Sequence, residues 1–194
     1  MTKAEAAGVE MAGAGIPLSR RAAPAEGLER MPHRAYIGIG SNLGDRRANH
    51  DEAIDRIQKL PNTRILKQSS FYESEPHGNA KTWFVNSVIE IETEGTAPEL
   101  LKKLKAIEAT MGRKRVRGKR WGSRIIDLDI LLFDNEVVDK RNLKIPHHEI
   151  ANRRFVLAPL SELAPQLIHP QLNTTISEML VAGKDRKRVH LFRS

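Results

Sequence analysis

Two acidic residues within an apolar segment are the part of this sequence best suited to chemistry. Asp127 and Asp129 are two positions apart within residues 125–133. In an extended strand, side chains two apart point to the same face, about 6–7 Å from each other. Two carboxylates there repel by about 2–3 kcal/mol at an effective dielectric of about 20, so we expect a cation between them. Mg²⁺ fits, because it takes one or two carboxylates together with substrate phosphates.

A basic segment leads directly into this acid pair. Residues 112–124 contain seven Lys or Arg and no acid. Such a run is commonly a solvated surface, but beside paired carboxylates it is suited to a triphosphate, whose charge arginines stabilise during transfer. With Gly112 and Gly118 and few apolar residues, we expect a loop that is poorly ordered without ligand and closes over the phosphates. Its cations are Arg113, Lys114, Arg115, Arg117, Lys119, Arg120 and Arg124.

Composition narrows the class of protein. The 194 residues suit one domain with a real core, and most of the net charge of +8 lies in the basic segment. This concentration favours a local anion site over a surface that coats nucleic acid. The chain has no cysteine, so it has neither disulfides nor thiolate metal sites. No apolar stretch is long enough to cross a bilayer. We expect a cytoplasmic enzyme, monomeric by preference, with neither nucleic acid nor membrane as a partner.

The chain divides into three parts by composition. Residues 1–34 are rich in Ala, Gly, Glu and Arg and contain no Phe, Tyr or Trp. They are interpreted as a flexible extension, with an organelle-targeting segment as the alternative and Met31 as a candidate start. Residues 35–183 form the predicted domain. Residues 184–194 are basic, and we expect them to be loosely held.

Strand and helix patterns alternate in the predicted domain. Strands are predicted over residues 36–40, 64–71, 84–92 and the acid pair. Asp45 can cap a first helix that ends before Pro61. Thr96 and Glu99 form a capping box for a second helix, which Gly112 ends. The order β-α-β-β-α-β predicts an α/β (α+β) fold, a ferredoxin-like sheet with helices on one face. Residues 134–194 add short strands and a helix around residues 155–163.

The segment Arg120-Trp-Gly-Ser-Arg124, followed by two apolar residues and Asp-Leu-Asp, resembles the signature of the 6-hydroxymethyl-dihydropterin pyrophosphokinase family. The resemblance extends over about residues 36–180. It implies an ATP-dependent transfer of pyrophosphate to the hydroxymethyl group of the pterin in folate biosynthesis, with AMP as the other product. It also implies two Mg²⁺ ions, held by Asp127 and Asp129.

The resemblance also assigns residues to the ATP side of the site. Arg113 and Arg124 match arginines that act in catalysis and bind ATP. Trp121 either gates the closed pocket or anchors the loop, and it is expected to contact both substrates. Lys105 stands where some members have Gln, so no role is assigned to it. The remaining ATP contacts implied are Glu108, Ile130 and His147.

On the pterin side, Asn86 lies on the polar face of its predicted strand. Its amide offers a donor and an acceptor to the pterin edge. The resemblance implies that Phe84 and Phe155 stack on the two faces of the ring, although core packing is the ordinary role of such residues. His77 replaces an apolar residue common in the family. The other implied pterin contacts are Ser74, Pro76, His77, Trp121, Asp127 and Arg153.

Other functions were weighed against this one. Gly38-Ile-Gly40 up to Gly44 is similar to a dinucleotide fingerprint, but its last glycine comes one residue late and no P-loop is present. The resemblance instead implies a structural role for this segment, at the end of the first strand near the pterin pocket. A nucleotidyltransferase palm also places acids on such a sheet, and an RNA-binding domain shares the fold and the charge. The latter requires aromatic residues on central strands, and the chain has two Tyr and two Trp.

Overall fold

A six-stranded sheet organises the protein in the computed structural model, which describes residues 31–76, 81–112 and 123–193. Within these residues the fold is mixed α/β, with antiparallel strand pairs and four α-helices. The strands are β1 His33–Ser41, β2 Thr63–Gln68, β3 Tyr72–Ser74, β4 Phe84–Thr93, β5 Asp127–Phe133, β6 Val138–Lys140, β7 Leu143–Ile145, β8 Ile168–His169, β9 Thr174–Thr175 and β10 Val189–Leu191. The helices are α1 Arg46–Gln58, α2 Ala97–Thr110, α3 Arg154–Leu163 and α4 Ile176–Ala182, with a 3₁₀ turn at Ile150–Asn152.

In the sheet, β1 lies between β4 on one side and β5 at the edge on the other. Both β2 and β3 pair with β4, one after the other along its length, and β10 pairs with β3. The predicted strand over residues 64–71 is interrupted after Gln68, because the Ser69 hydroxyl accepts the Val88 N–H at 2.9 Å in place of a main-chain partner. The strand resumes at Tyr72 as β3. Two short hairpins, β6–β7 and β8–β9, stand apart from this sheet.

The first two helices begin where their caps predict. The Asp45 carboxylate accepts the N–H groups of Arg47 at 3.1 Å and Ala48 at 3.0 Å, which satisfies donors at the start of α1. At the start of α2, the Thr96 N–H donates to Glu99 at 2.8 Å, as a capping box requires. After α2, Gly112 has a φ of +86°. This left-handed conformation strongly favours glycine, so the predicted helix end is confirmed.

The helices cover both faces of the sheet, which corrects the prediction that they lie on one. Ile89 and Ile91 of β4 belong to a core that α1 and α2 complete. Val88 points the other way and packs with Leu157 and Leu160 of α3, together with residues of α4. The prediction was wrong because Tyr36 of β1, Val88 of β4 and Leu131 of β5 form a second apolar patch on the other face of the sheet, and such a patch requires its own cover.

Both boundaries of the predicted domain differ from expectation. At the first, β1 begins at His33, so residues assigned to the extension enter the sheet. At the second, the tail is not loosely held, because Val189–Leu191 pairs with β3 as an added edge strand. No helix within the described residues has the length and apolar character needed to cross a membrane.

Candidate active site

A cavity of about 490 Å³ lies over the sheet on the side of α3. Its floor is formed by β1, β4 and β5, and its other walls by Lys105 of α2, by residues 147–149 and by the start of α3. Sequence-predicted residues from distant parts of the chain come together here. Those that line the cavity are Ser74, Phe84, Asn86, Arg124, Asp127, Asp129, His147, Arg153 and Phe155.

Strand alternation places the two acids in the cavity. Leu128 and Ile130 of β5 point into the core shared with α2, so Asp127 and Asp129 point the opposite way. Ile130 is therefore a core side chain, and the ATP contact assigned to it has no counterpart in the cavity wall. Its side chain is 3% exposed.

Two glycines of β1 lie in the floor of this cavity, where neighbouring side chains leave little space for a Cβ atom. Gly38 pairs with Asp129 and Gly40 with Asp127 across the sheet. A Cβ atom at Gly38 would lie 3.2 Å from the Leu131 side chain, and one at Gly40 would lie 3.3 Å from the Asn86 amide oxygen. The Gly-x-Gly pattern thus serves close packing beneath the site, in keeping with the structural role predicted for it.

Each carboxylate has a cation of the protein beside it. The Arg124 guanidinium forms an ion pair with Asp127, and the Lys105 ammonium lies 3.4 Å from an oxygen of Asp129. Lys105 also donates to Glu108 and to the Leu128 carbonyl, both at 2.8 Å. No role was predicted for Lys105 from the sequence. The sequence feature that could have indicated a role is the spacing of Lys105 and Glu108, three residues apart on the helix that leads to the basic segment.

Glu108 lies behind the cavity and does not line it. Its side chain is buried, and it accepts the Leu128 N–H at 2.7 Å between the two acids of β5. Through Lys105 and Leu128 it fixes α2 to β5. Glu108 thus has a supporting position, one residue removed from the cavity surface, and the ATP contact predicted for it stays a prediction.

The other end of the cavity, called the neutral end below, is built mainly from neutral groups, with the Arg153–Glu149 ion pair at 3.3 Å beside them. Asn86 is 5% exposed, and its amide N–H donates to the Ser74 hydroxyl at 2.9 Å. Phe84 and Phe155 line the same end, and the Arg153 guanidinium carbon lies 5.6 Å from the centre of the Phe155 ring. Pro76 does not line the cavity. Its carbonyl instead accepts a hydrogen bond from the Lys187 ammonium.

A buried histidine supports this neutral end from behind. The His50 ring is hydrogen-bonded to the Val85 carbonyl at 2.9 Å and to the Ser87 hydroxyl at 3.0 Å. The carbonyl can only accept, so Nε2 carries the proton and Nδ1 accepts from Ser87. Burial lowers the pKa of His50 to about 4, so the ring is neutral at pH 7.

Asn42 is a second residue that sequence reasoning left without a specific role. It is 2% exposed, and its side-chain oxygen accepts the Arg124 N–H at 2.7 Å. Its amide N–H donates to the Thr82 hydroxyl at 3.0 Å. Asn42 thus connects the segment before β5 with the segment before β4, and it fixes the main chain from which Arg124 reaches Asp127.

His147 lies beside the acid end. Burial lowers the pKa of His147, and the nearby Asp129 charge opposes this effect without outweighing it. The imidazole is therefore neutral at pH 7, and it can meet a phosphate as a hydrogen-bond donor but not as a cation.

The donor set fits Mg²⁺. Two carboxylates face one cavity, and oxygen ligands of this kind are what Mg²⁺ takes from proteins. No cluster of three or more His, Cys, Asp or Glu suited to a metal occurs within residues 31–76, 81–112 and 123–193. Within that part of the chain, Asp127 and Asp129 are therefore the candidate ligands, and substrate and water oxygens would complete the coordination. The predicted contacts Arg113, Trp121 and His77 lie outside the described residues.

Known proteins with similar sequences share one description. A family model described as 7,8-dihydro-6-hydroxymethylpterin-pyrophosphokinase (HPPK) matches residues 36–165. A Haemophilus influenzae protein named 2-amino-4-hydroxy-6-hydroxymethyldihydropteridine pyrophosphokinase is 42% identical over 158 residues, which is 81% of this chain and 97% of that protein. A Methylorubrum extorquens protein of the same name is 40% identical over 136 residues, 70% of this chain and 85% of its own length.

Solved structures with a similar fold carry a related description. The crystal structure of wild-type Plasmodium falciparum HPPK-DHPS superposes with a TM-score of 0.62 over 79% of this chain, at 16% identity. The matched part is 45% of that chain, so this protein spans less than half of it. At this identity the likeness concerns the fold alone.

Proposed function

The chain belongs to the 7,8-dihydro-6-hydroxymethylpterin-pyrophosphokinase family, and we propose that the cavity over its sheet is the active site. It is an enzyme of folate biosynthesis that transfers pyrophosphate from ATP to hydroxymethyldihydropterin. The observation that carries the site assignment is the polarity of the cavity. Paired carboxylates with cations lie at one end, and a buried amide with two phenylalanines lies at the other. The family match sets aside the nucleotidyltransferase and RNA-binding alternatives.

The neutral end binds the pterin in this proposal. The Asn86 amide forms hydrogen bonds with the donor and acceptor groups on the pterin edge, and the Ser74 hydroxyl fixes the orientation of that amide. Phe84 and Phe155 provide apolar faces for the flat ring. Arg153 is assigned to the rim of this end, next to Phe155. His77 and Trp121 are further proposed contacts.

The charged end binds the triphosphate. Lys105 and Arg124 are paired with carboxylates in the described structure, so they exchange carboxylate for phosphate oxygens when MgATP enters. Arg113, Trp121 and His147 are assigned to the same end. Held by Asp127 and Asp129, two Mg²⁺ ions would offset phosphate charge and polarise the phosphoryl oxygens.

The reaction is an in-line displacement at phosphorus. The hydroxymethyl oxygen forms a bond to the β-phosphorus of ATP, and the bond from that phosphorus to the oxygen it shares with the α-phosphate breaks. AMP leaves with the shared oxygen, and the hydroxyl proton is released to solvent overall. The residues described here act by positioning the two substrates and by supplying positive charge to the transferring oxygens.

The proposal also covers the topology of the core, the oligomeric state and the cellular location. The strand order β5-β1-β4-β2, with α1 and α2 on one face, supports a ferredoxin-like core to which β3 and β10 are additions. We also propose that the enzyme acts as a monomer. The reaction takes place in the cytoplasm, where ATP is available.

The experiment that tests the function follows AMP. The full chain is incubated with MgATP and 6-hydroxymethyl-7,8-dihydropterin, and nucleotides are separated by chromatography. AMP is expected to appear in equal amount with a pterin diphosphate, and to depend on both the pterin and the metal. Formation of ADP, or AMP release that does not depend on the pterin, would contradict the assignment.

A further inference from the structure

The C-terminal segment, residues 185–192, contacts both walls of the neutral end of the cavity. One wall is β3 with the residues that follow it, and the other is the start of α3. Ser74 of the first wall and Phe155 of the second wall line the cavity. The basic composition of residues 184–194 predicted a loosely held tail, so these contacts are an additional finding of the structure.

Contacts to the first wall extend the β3–β10 pairing beyond the strand. The Glu75 N–H donates to the Arg188 carbonyl at 3.1 Å, and the Arg188 N–H donates to the Glu75 carboxylate at 3.0 Å. The Arg188 side chain reaches the same carboxylate at 2.7 Å, and this pairing lowers the pKa of Glu75. Lys187 donates to the Pro76 carbonyl. These bonds hold the residues directly after Ser74, the partner of Asn86.

Contacts to the second wall come from Asp185. Its carboxylate accepts the Arg154 N–H at 3.0 Å, and its other oxygen accepts the Lys187 N–H at 3.1 Å. The first N–H groups of a helix have no partner within the helix, so a carboxylate from outside satisfies one of them. Arg154 is the first residue of α3 and the neighbour of Phe155. One short segment therefore connects the Ser74 wall to the Phe155 wall.

We propose that residues 185–192 are a brace that positions the two walls of the pterin site, an inference that rests on the proposed function. The sheet order β10-β3-β4-β1-β5 puts the brace at one edge and the paired acids at the other. Loosening the brace therefore lowers pterin affinity and leaves MgATP affinity nearly unchanged. The segment acts through Ser74 and Phe155 and makes no contact with the reacting atoms.

Proline substitutions test whether the main-chain hydrogen bonds between the brace and β3 are required, as distinct from the presence of the segment alone. Glu75 bonds to residue 188, and the Phe192 N–H donates to the Phe71 carbonyl at 2.8 Å. Main-chain bonds alternate along an antiparallel pair, so the N–H of His190 faces Glu73 while that of Leu191 points away from β3. His190→Pro removes a bond to β3. Leu191→Pro is the matched control, because proline is tolerated where the N–H does not pair.

Dissociation constants for the pterin and for MgATP are measured separately by calorimetry on the full chain. His190→Pro is expected to raise the pterin Kd at least about fivefold and to change the MgATP Kd less than about twofold, with Leu191→Pro close to wild type. An unchanged pterin Kd in His190→Pro, or equal losses for both ligands, overturns the brace. Asp185→Ala, with exposed Arg186→Ala as control, asks the same question at the second wall if His190→Pro does not fold.

Hydrogen exchange of backbone amides in the wild type distinguishes a brace from a purely structural tail. Only for a brace is the exchange rate expected to depend on whether the pterin site is occupied. Coupling between the brace and the pterin site is reciprocal, so a bound pterin analogue should slow exchange at residues 188–192 and MgATP alone should not. Equal exchange with and without the analogue overturns the proposal. If the wild type releases no pterin-dependent AMP, it is the proposed function that fails; if it is active and the brace variants bind normally, only the brace fails.

Discussion

The two ends of the cavity are built in opposite ways. At the charged end, each carboxylate already has a cation of the protein beside it, Arg124 for Asp127 and Lys105 for Asp129. At the neutral end, a buried amide is held by a hydroxyl, and phenylalanines stand beside it. The charged end must exchange partners before phosphates bind, whereas the neutral end has its hydrogen bonds in place. We therefore expect substitutions at the charged end to act mainly on MgATP binding and on rate, and those at the neutral end mainly on pterin binding.

The largest effect is expected from removing an acid of the charged end. Asp127→Ala or Asp129→Ala should reduce turnover by roughly 10²–10⁴, because a lost metal ligand costs on the order of 3–5 kcal/mol of barrier. Steady-state kinetics at saturating Mg²⁺ measures this, with circular dichroism as the check on folding. Asp139→Ala is the control, since Asp139 is an exposed acid of β6 paired with Lys144. Near wild-type turnover in either active-site variant would contradict the assignment of Mg²⁺ to Asp127 and Asp129.

The framework of the neutral end should weaken in acid. His50 holds β4 through Val85 and Ser87, and its pKa of about 4 lies below the ordinary 6.5. Above pH 6.5 neither the folded nor the unfolded state protonates this ring. Between pH 6.5 and 4 the unfolded chain takes up a proton that the folded chain refuses, so the free energy of unfolding falls, by on the order of 3 kcal/mol at pH 4 and below.

Urea denaturation of the wild type and of His50→Asn between pH 4 and 7.5 tests this dependence. The variant is expected to be less stable at pH 7.5 and to lose less stability on acidification, because its side chain does not titrate. Parallel curves for the two proteins would mean that other groups cause the acid loss.

Removing an aromatic face at the neutral end should cost pterin affinity. Phe155→Leu keeps an apolar side chain but loses the ring, so the pterin Kd is expected to rise by roughly tenfold. The MgATP Kd should stay within about twofold of wild type, since α3, which carries Phe155, packs against β4 and β3, whereas the paired acids lie on β5. A variant that binds both ligands as the wild type does would place the pterin elsewhere.

The smallest predicted effect concerns Lys105. In Lys105→Gln, Asp129 loses the cation at 3.4 Å, so Mg²⁺ meets less competition for this carboxylate. At saturating ATP, where the lost phosphate contact of Lys105 does not limit substrate binding, the Mg²⁺ concentration for half-maximal activity should fall by roughly two- to fivefold, a size typical of a partly exposed ion pair. Lys102→Gln, at an exposed lysine of the same helix, is the control. A higher Mg²⁺ requirement would show that Lys105 assists the metal.

The sequence predicted features that depend on neighbouring residues. Alternation along β5 placed Asp127 and Asp129 on one face, and the side-chain caps of α1 and α2 located both helix starts. Alternation along β4 likewise separated Asn86 from Ile89. Local spacing decides these features, because side-chain direction in a strand and capping at a helix end follow from residues within a few positions.

Features that depend on distant residues were missed. Lys105 matters because α2 lies beside β5, and Asn42 because the segments before β4 and β5 meet at the end of β1. The second helical face and the pairing of the tail require knowledge of what covers the sheet. Glu108 and Ile130 were assigned to ATP by resemblance; their side chains pack behind the cavity surface, and the ATP contacts themselves stay predictions. The order and closure predicted for the basic segment fall largely outside the described residues and stay predictions.

A crossed binding experiment tests the division of the cavity most directly. The Kd of the pterin and the Kd of MgATP are measured by calorimetry for the wild type, Asn86→Ala and Asp129→Asn. The account predicts that Asn86→Ala weakens the pterin by at least about tenfold and MgATP by less than about twofold, with the reverse pattern for Asp129→Asn. If both variants weaken both ligands equally, the two ends are not separate sites, and the assignment of this cavity to one pterin and one triphosphate is wrong.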